Sequence, residues 1–220
     1  MTSMSGPPAL PAPRRVAWGW VLTALVATGV SLASTRYLLS GVAMAPPPLK
    51  PNFMHHQLAF WLHIGGGSTA LLVGPWQFLG RLRRGAPVLH RLLGLVYVSA
   101  CLVGALAALP MALGSNGGWV AAAGFETLAL LWLWTTLRAV LAVRSGDIAA
   151  HRLWMVRSFS LTLAGVTLRL YLPLALIGLA PFSVIYAGIA WLCWAPNLLM
   201  SDRIGAALGA PRPQAGLRRG

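Results

Sequence analysis

The sequence predicts an all-α membrane protein, a six-transmembrane-helix bundle with a core of helices two to five. Three observations carry this expectation. Hydrophobic residues make up 57% of the 220 and charged residues only 9%, against roughly 25% charged in a soluble domain. Six apolar segments of membrane length follow one another. Arginine gathers in alternate connections between them.

Taken in order, the spans are 17–39, 57–79, 91–113, 119–143, 153–178 and 182–200. The first follows a Pro-rich stretch and Arg14-Arg15. It lacks a small-residue cleavage site, so it reads as a retained helix. Pro46-Pro47-Pro48 separates spans one and two, Ser115-Asn116-Gly117-Gly118 separates three and four, and Pro181 separates five and six. Residues 1–16 and 201–220 read as tails flanking the transmembrane domain 17–200. Six spans leave too little chain for a soluble core.

One side of the bundle holds Arg14, Arg15, Arg81, Arg83, Arg84, Arg91, Arg144, Arg152, Arg203, Arg212, Arg218 and Arg219, whereas the opposite loops hold only Arg36 and Lys50. The crowded side reads as cytoplasmic, which puts both termini inside and the chain in a bacterial inner membrane. The net charge of +14 therefore points to anionic lipid headgroups as partners rather than to nucleic acid.

A shared spacing marks the inner faces. His63, Gly67, Ala70, Gly74 and Gln77 lie at offsets 0, 4, 7, 11 and 14 of span two. His90, Gly94, Tyr97, Cys101 and Gly104 repeat those offsets in span three, and His151, Met155, Ser158, Thr162 and Gly165 in span five. An α-helix sets such positions on one stripe. Small and polar stripes turn away from lipid and meet, either as close helix packing or as a slot for a flat ligand. The His90-Arg91-Leu92 and His151-Arg152-Leu153 tripeptides also suggest two related hairpins, spans two–three and four–five.

Ionisable residues inside a span are functional candidates. His63, Glu126 and Arg169 lie roughly 9–14 Å below the outer helix ends at 1.5 Å per residue. They form a candidate outer cluster, with Glu126 paired to Arg169 and His63 nearby. It is either an ion pair that sets helix register or a proton-handling or ligand-anchoring site.

On the inner side, His90 and His151 open neighbouring helices at matching depth. Two imidazoles so placed are candidate axial ligands of one haem iron, making haem b the cofactor, with Arg91, Arg152 and Arg157 suited to propionates. The plainer use of His-Arg at a membrane edge is interfacial anchoring. His55 and His56 lack the i, i+4 spacing that places two metal ligands on one face. Cys101 and Cys193 lie inside apolar segments, with no disulfide framework. Most of the ten tryptophans suit an aromatic belt. No nucleotide-binding or hydrolase fingerprint is present.

The stretch His63-Ile64-Gly65-Gly66-Gly67, then Gly74-Pro75-Trp76-Gln77-Phe78, then Leu89-His90-Arg91-Leu92-Leu93-Gly94 and Tyr97 resembles the bacterial predicted-membrane-protein family known as domain of unknown function 2306. So do Asp147, the run His151 to Ser158, Arg169, and Trp194-Ala195-Pro196-Asn197-Leu198. The resemblance covers roughly residues 57–200. It implies a multi-pass membrane protein and lends no activity. A more distant likeness is to cytochrome b561 and ferric-reductase-like membrane cytochromes, onto which His90 and His151 map as a ligand pair. Span four offers Glu126 and no histidine to partner His63, so that likeness implies one bis-histidine haem at most.

Three function classes follow. The first is a haem-bearing electron carrier or oxidoreductase subunit that meets a quinone or redox partner at the outer cluster. The second is a non-enzymatic small-molecule or proton-coupled transporter. The third is a structural or accessory subunit. The first of these classes includes an enzyme subunit, and the other two do not require catalysis.

Overall fold

The computed structural model describes residues 18–178 and 180–208. The expected N-terminal tail and the end of the C-terminal tail lie outside the described residues. The described chain is helical throughout: α1 (Trp18–Ser40), two 3-10 turns (Gly41–Met44 and Pro47–Leu49), α2 (Lys50–His55), α3 (Gln57–Gln77), α4 (Gly80–Gly85), α5 (Pro87–Leu113), α6 (Gly118–Arg144), α7 (Ile148–Thr162), α8 (Ala164–Leu176), α9 (Phe182–Leu192), α10 (Ala195–Leu199) and α11 (Ser201–Ala207).

Five segments among these residues are long and apolar enough to cross a bilayer: Trp18–Met44, Pro87–Leu113, Gly118–Arg144, Ile148–Leu176 and Phe182–Leu199. The expected second span, α3, is 21 residues, about 31 Å at 1.5 Å per residue. It has the length but not the apolarity, because His63, Gly65-Gly66-Gly67, Ser68 and Gln77 dilute it. α1 and α5 cover it on two sides. The surface turned outward is rich in exposed Leu, Val and Trp, such as Leu25, Leu95, Leu106 and Trp119. That is the pattern of a lipid-facing wall.

The closest packing joins α3 to α5, α5 to α6 and α6 to α7, with α1 against α3 and α9 against α6. α8, the second half of the expected fifth span, departs from the expected core: it packs mainly on α9 and α1. Glycine sets the closest approach. A Cβ on Gly66 would lie 2.6 Å from the Ala100 carbonyl oxygen and 2.8 Å from the Gly104 amide. The backbones of α3 and α5 are therefore in direct contact, the arrangement that small residues permit in lipid. α1 is tied to α3 by the Ser31 hydroxyl, which donates to the Ser68 carbonyl at 2.8 Å, and by the Trp20 indole N–H, which donates to the Pro75 carbonyl at 2.9 Å.

The two last spans are not the continuous helices the sequence suggests. The fifth breaks at Leu163, where the Val166 amide reaches back only three residues to the Leu163 carbonyl at 2.9 Å. This is a tightened turn in mid-helix. The sixth breaks at Cys193 and Trp194, just ahead of Pro196, whose missing N–H interrupts the ladder. Side chains fill the gap: the Asn197 amide donates to the Cys193 carbonyl at 3.1 Å and the Trp194 indole to the Ala190 carbonyl at 2.8 Å. Beyond it, α11 folds back against α7 and α1, so part of the expected tail belongs to the packed bundle.

Candidate functional site

A cavity of about 210 Å³ opens inside the bundle, in the half toward α2. Its walls come from α3, α5, α6, α9 and both sides of the Leu163 break, and Leu49, Asn52 and Phe53 form its cover. The lining is mostly apolar, with Phe60, Leu71, Phe125 and Leu172 prominent. The polar groups His63, Trp132, Thr162 and Arg169 open on it. A few oriented polar groups in an apolar chamber are what ligand sites share. The volume is below the ~300–1,000 Å³ usual for a drug-sized ligand, so it suits a small head or a short chain.

His63 owes its orientation to the glycine contact between α3 and α5. Its Nδ1 lies 2.9 Å from the Gly104 carbonyl oxygen. A carbonyl only accepts, so Nδ1 carries the proton and Nε2 is left as an acceptor. Arg169, half-buried on α8, donates from Nη1 to the Gly165 carbonyl and from Nη2 to the Ser34 hydroxyl, both at 2.8 Å. Neither partner carries charge.

The expected ion pair between Glu126 and Arg169 does not form. The buried face of α6 runs through Ala121, Gly124, Ala129, Trp132, Thr135 and Ala139. At about 100° per residue, Glu126 points roughly 140° away from the line of Ala121 and Ala139. It is absent from the cavity wall that holds His63 and Arg169. Of the three residues, only His63 and Arg169 converge on one cavity.

Beneath the cavity lies a hydroxyl cluster that stripe spacing alone did not reveal. Tyr97 OH is 2.9 Å from Thr162 Oγ1 and 3.1 Å from Ser158 Oγ, and Ser158 Oγ is 2.8 Å from Thr136 Oγ1. The Trp132 indole donates to Thr162 at 3.0 Å, and Thr162 donates to the Ser158 carbonyl at 3.0 Å. Thr162 has one proton, already given to a carbonyl. Tyr97 must therefore donate to Thr162, Ser158 to Tyr97, and Thr136 to Ser158. All four hydroxyls are thereby satisfied in one orientation, which fixes α5, α6 and α7 against one another. The cysteine of the α5 stripe, Cys101, is buried alongside and reduced, as is Cys193.

On the α4 side, the His151 Nδ1–H donates to the Ala139 carbonyl at 2.9 Å, leaving Nε2 free. His90 stands within electrostatic reach of His151, Arg83 and Arg91, and its buried Nδ1 has no partner. The Gln77 amide nitrogen is likewise buried without one. Burial, with Arg152 and Arg84 close by, depresses the pKa of Arg83. Arg91 and Arg152 are exposed at helix starts. Arg157 lies over the Trp154 ring, 4.7 Å from its centroid.

As a haem pair, the histidines fit by half. His151 has the oriented imidazole that an axial ligand needs, whereas His90 lacks the second hydrogen bond that would hold its ring. His55 and His56 stack edge to face, 4.6 Å between ring centroids, at the α2–α3 junction. Among the described residues, no group of three or more His, Cys, Asp or Glu gathers as a metal site.

The family model described as predicted membrane protein (DUF2306) matches residues 60–204 of the chain. No curated protein and no solved structure matches, so the cytochrome likeness gains no support from these comparisons. The match covers about two thirds of the sequence, and the chain belongs to the DUF2306 family of predicted membrane proteins.

Proposed function

We propose that this DUF2306 member is a membrane-embedded binding protein or carrier for a small lipophilic molecule with an oxygen-bearing head, held in the cavity beside Leu163. The observation that carries this reading is Arg169. A guanidinium on an intramembrane cavity wall, satisfied only by a carbonyl and a hydroxyl, keeps a positive charge free for an acceptor oxygen. His63 Nε2 would accept from a hydroxyl on the same head. The pair suits a lipophilic carboxylic acid best and a quinol next. The helix break in mid-membrane supports the carrier form, because transporters place substrates where helices are interrupted.

In this reading α3 is the sixth crossing, the arginine-rich α4 side is cytoplasmic, and the membrane is a bacterial inner membrane. The positive-inside rule supports the orientation, and cysteine labelling of the α2 and α4 connections in intact cells tests it.

The binding test uses decanoate, 1-decanol and a decyl-chain quinol on the detergent-purified protein, read by calorimetry. Decanoate should bind and decanol should not. Arg169→Gln should weaken decanoate binding roughly tenfold or more. Equal binding of decanol, or unchanged affinity in the variant, would sink the reading. Haem bound by His90 and His151 is the second reading, supported by the free Nε2 of His151. When bound, haem would supply one-electron transfer. A redox-sensitive Soret band lost in His151→Ala is its test, and a colourless haem-supplied preparation rejects it.

A further inference from the structure

The α6–α7 surface carries an arrangement that the cavity does not use. The Arg138 guanidinium lies over two indoles, 5.4 Å from the Trp134 centroid and 5.3 Å from that of Trp154. The Arg157 guanidinium lies 4.7 Å from the same Trp154 centroid. The two cations thus share one ring. Because their distances to it are 5.3 and 4.7 Å, they stand no more than about 10 Å apart.

Among the described residues, no carboxylate answers them. The chain has three acidic residues. Asp147 accepts from the Ala150 amide at 2.8 Å as the cap of α7, Asp202 in the first turn of α11 makes no ion pair with either arginine, and Glu126 is 12 residues from Arg138 toward the other end of α6, roughly 18 Å along the axis. Stacking on tryptophan restrains both guanidiniums but leaves their N–H forks free for an oxyanion.

Depth names the source of that oxyanion. Arg138 is six residues, roughly 9 Å, inside the α4-side end of α6, and Arg157 nine residues, roughly 14 Å, inside that of α7. α6, and α7 taken together with α8 over Ile148–Leu176, each run about 40 Å and overrun a ~30 Å hydrocarbon layer at both ends. The two Cα atoms therefore fall roughly 4 and 7 Å within the layer, and the long side chains extend back to its headgroup boundary. Along α6 toward mid-membrane, Trp134 and Leu130 continue the face of Arg138 at four-residue steps and are 53% and 55% exposed. Charge at the boundary with an apolar track leading inward has the shape of a phospholipid, head and one acyl chain.

We propose that Arg138, Arg157 and Trp154 form a clamp for the phosphate of an anionic phospholipid, whose acyl chain lies along Trp134 and Leu130. The ligand chemistry is a phosphodiester, which each guanidinium can grip with two parallel N–H bonds.

The test uses delipidated full-length protein in a neutral detergent, with native mass spectrometry reading bound lipid and thermal unfolding reading stability. The arms are phosphatidylglycerol, phosphatidylcholine of the same chains, and inorganic phosphate. Phosphatidylglycerol should be retained and should raise the unfolding temperature, and neither of the others should. The double variant Arg138→Gln/Arg157→Gln should lose retention by roughly tenfold or more, while Arg81→Gln, an exposed α4 arginine, should keep it. Should the double variant fold poorly, Trp154→Leu carries the test, since it keeps both charges and removes the platform. Equal retention of phosphatidylcholine, a matching effect of inorganic phosphate, or wild-type retention in the variants would overturn the clamp.

Discussion

Arg169 on α8 and Ser34 on α1 are joined by a 2.8 Å hydrogen bond across 135 residues of sequence. The Ser34 hydroxyl also donates to the Val30 carbonyl at 2.7 Å, so it both accepts and donates, and the residue is fully buried. A single serine thus seats the cation of the cavity wall and fastens the outermost helix to the core. Ser34→Ala should cost about 1–3 kcal/mol, because it leaves an Arg169 N–H without a partner. Thermal unfolding in detergent measures this. A variant indistinguishable from wild type would mean that Arg169 finds another acceptor, and that the bond to α1 contributes nothing.

Tyr97 is the hub of the hydroxyl cluster, with Thr162 and Ser158 both within 3.1 Å. Tyr97→Phe keeps the ring and deletes the oxygen, stranding one donor and one acceptor. The expected loss is about 1–3 kcal/mol. In a double-mutant cycle with Ser158→Ala the losses should be markedly non-additive, since both residues belong to one chain of donors. Additive losses would show that the four hydroxyls act separately.

How much of this could be read beforehand differs by element. The all-helical membrane bundle is legible in its apolar runs, which are a strong one-dimensional signal, whereas the place of α8 against α9 and α1 is not. The break at Leu163 was invisible because no proline stands there; the nearest downstream is Pro173, inside α8. His63 and Arg169 were found by their rarity inside a span. Depth counted along the helices groups Glu126 with His63 and Arg169, but azimuth separates it: the small and hydroxyl residues of α6, from Gly124 to Thr135 and Ala139, mark a face that excludes it. Thr136 and Trp132 carry no such signal, because a threonine and a tryptophan in a membrane helix are ordinary until Tyr97 arrives from another helix.

The glycine run of α3 offers an internal control. A Cβ on Gly66 would collide with the α5 backbone at 2.6 Å, whereas Gly65 and Gly67 have nothing within 4 Å of theirs. Gly66→Ala should force α3 and α5 apart, break the His63 bond to Gly104, and cost about 1–3 kcal/mol or more. Gly65→Ala should be neutral or slightly stabilising, because alanine is the better helix former. Unfolding temperatures of the two single variants decide it. Equal effects would contradict the direct backbone contact.

Glu126 gives the sharpest separation of the outer cluster into parts. It lies on the side of α6 turned from the buried face, outside the cavity wall that holds Arg169. Glu126→Gln should therefore leave decanoate binding unchanged and alter stability by no more than about 0.5 kcal/mol, the usual range for a surface change away from special features. Arg169→Gln should weaken binding roughly tenfold or more under the same conditions. The contrast is informative in both directions. If Glu126→Gln weakened binding as much as Arg169→Gln, the two residues would have to meet in the occupied state. That would require α6 to turn by more than a third of a rotation, carrying Trp132 away from Thr162 and dissolving the hydroxyl cluster, which near-ultraviolet circular dichroism of the tryptophans would register on adding ligand.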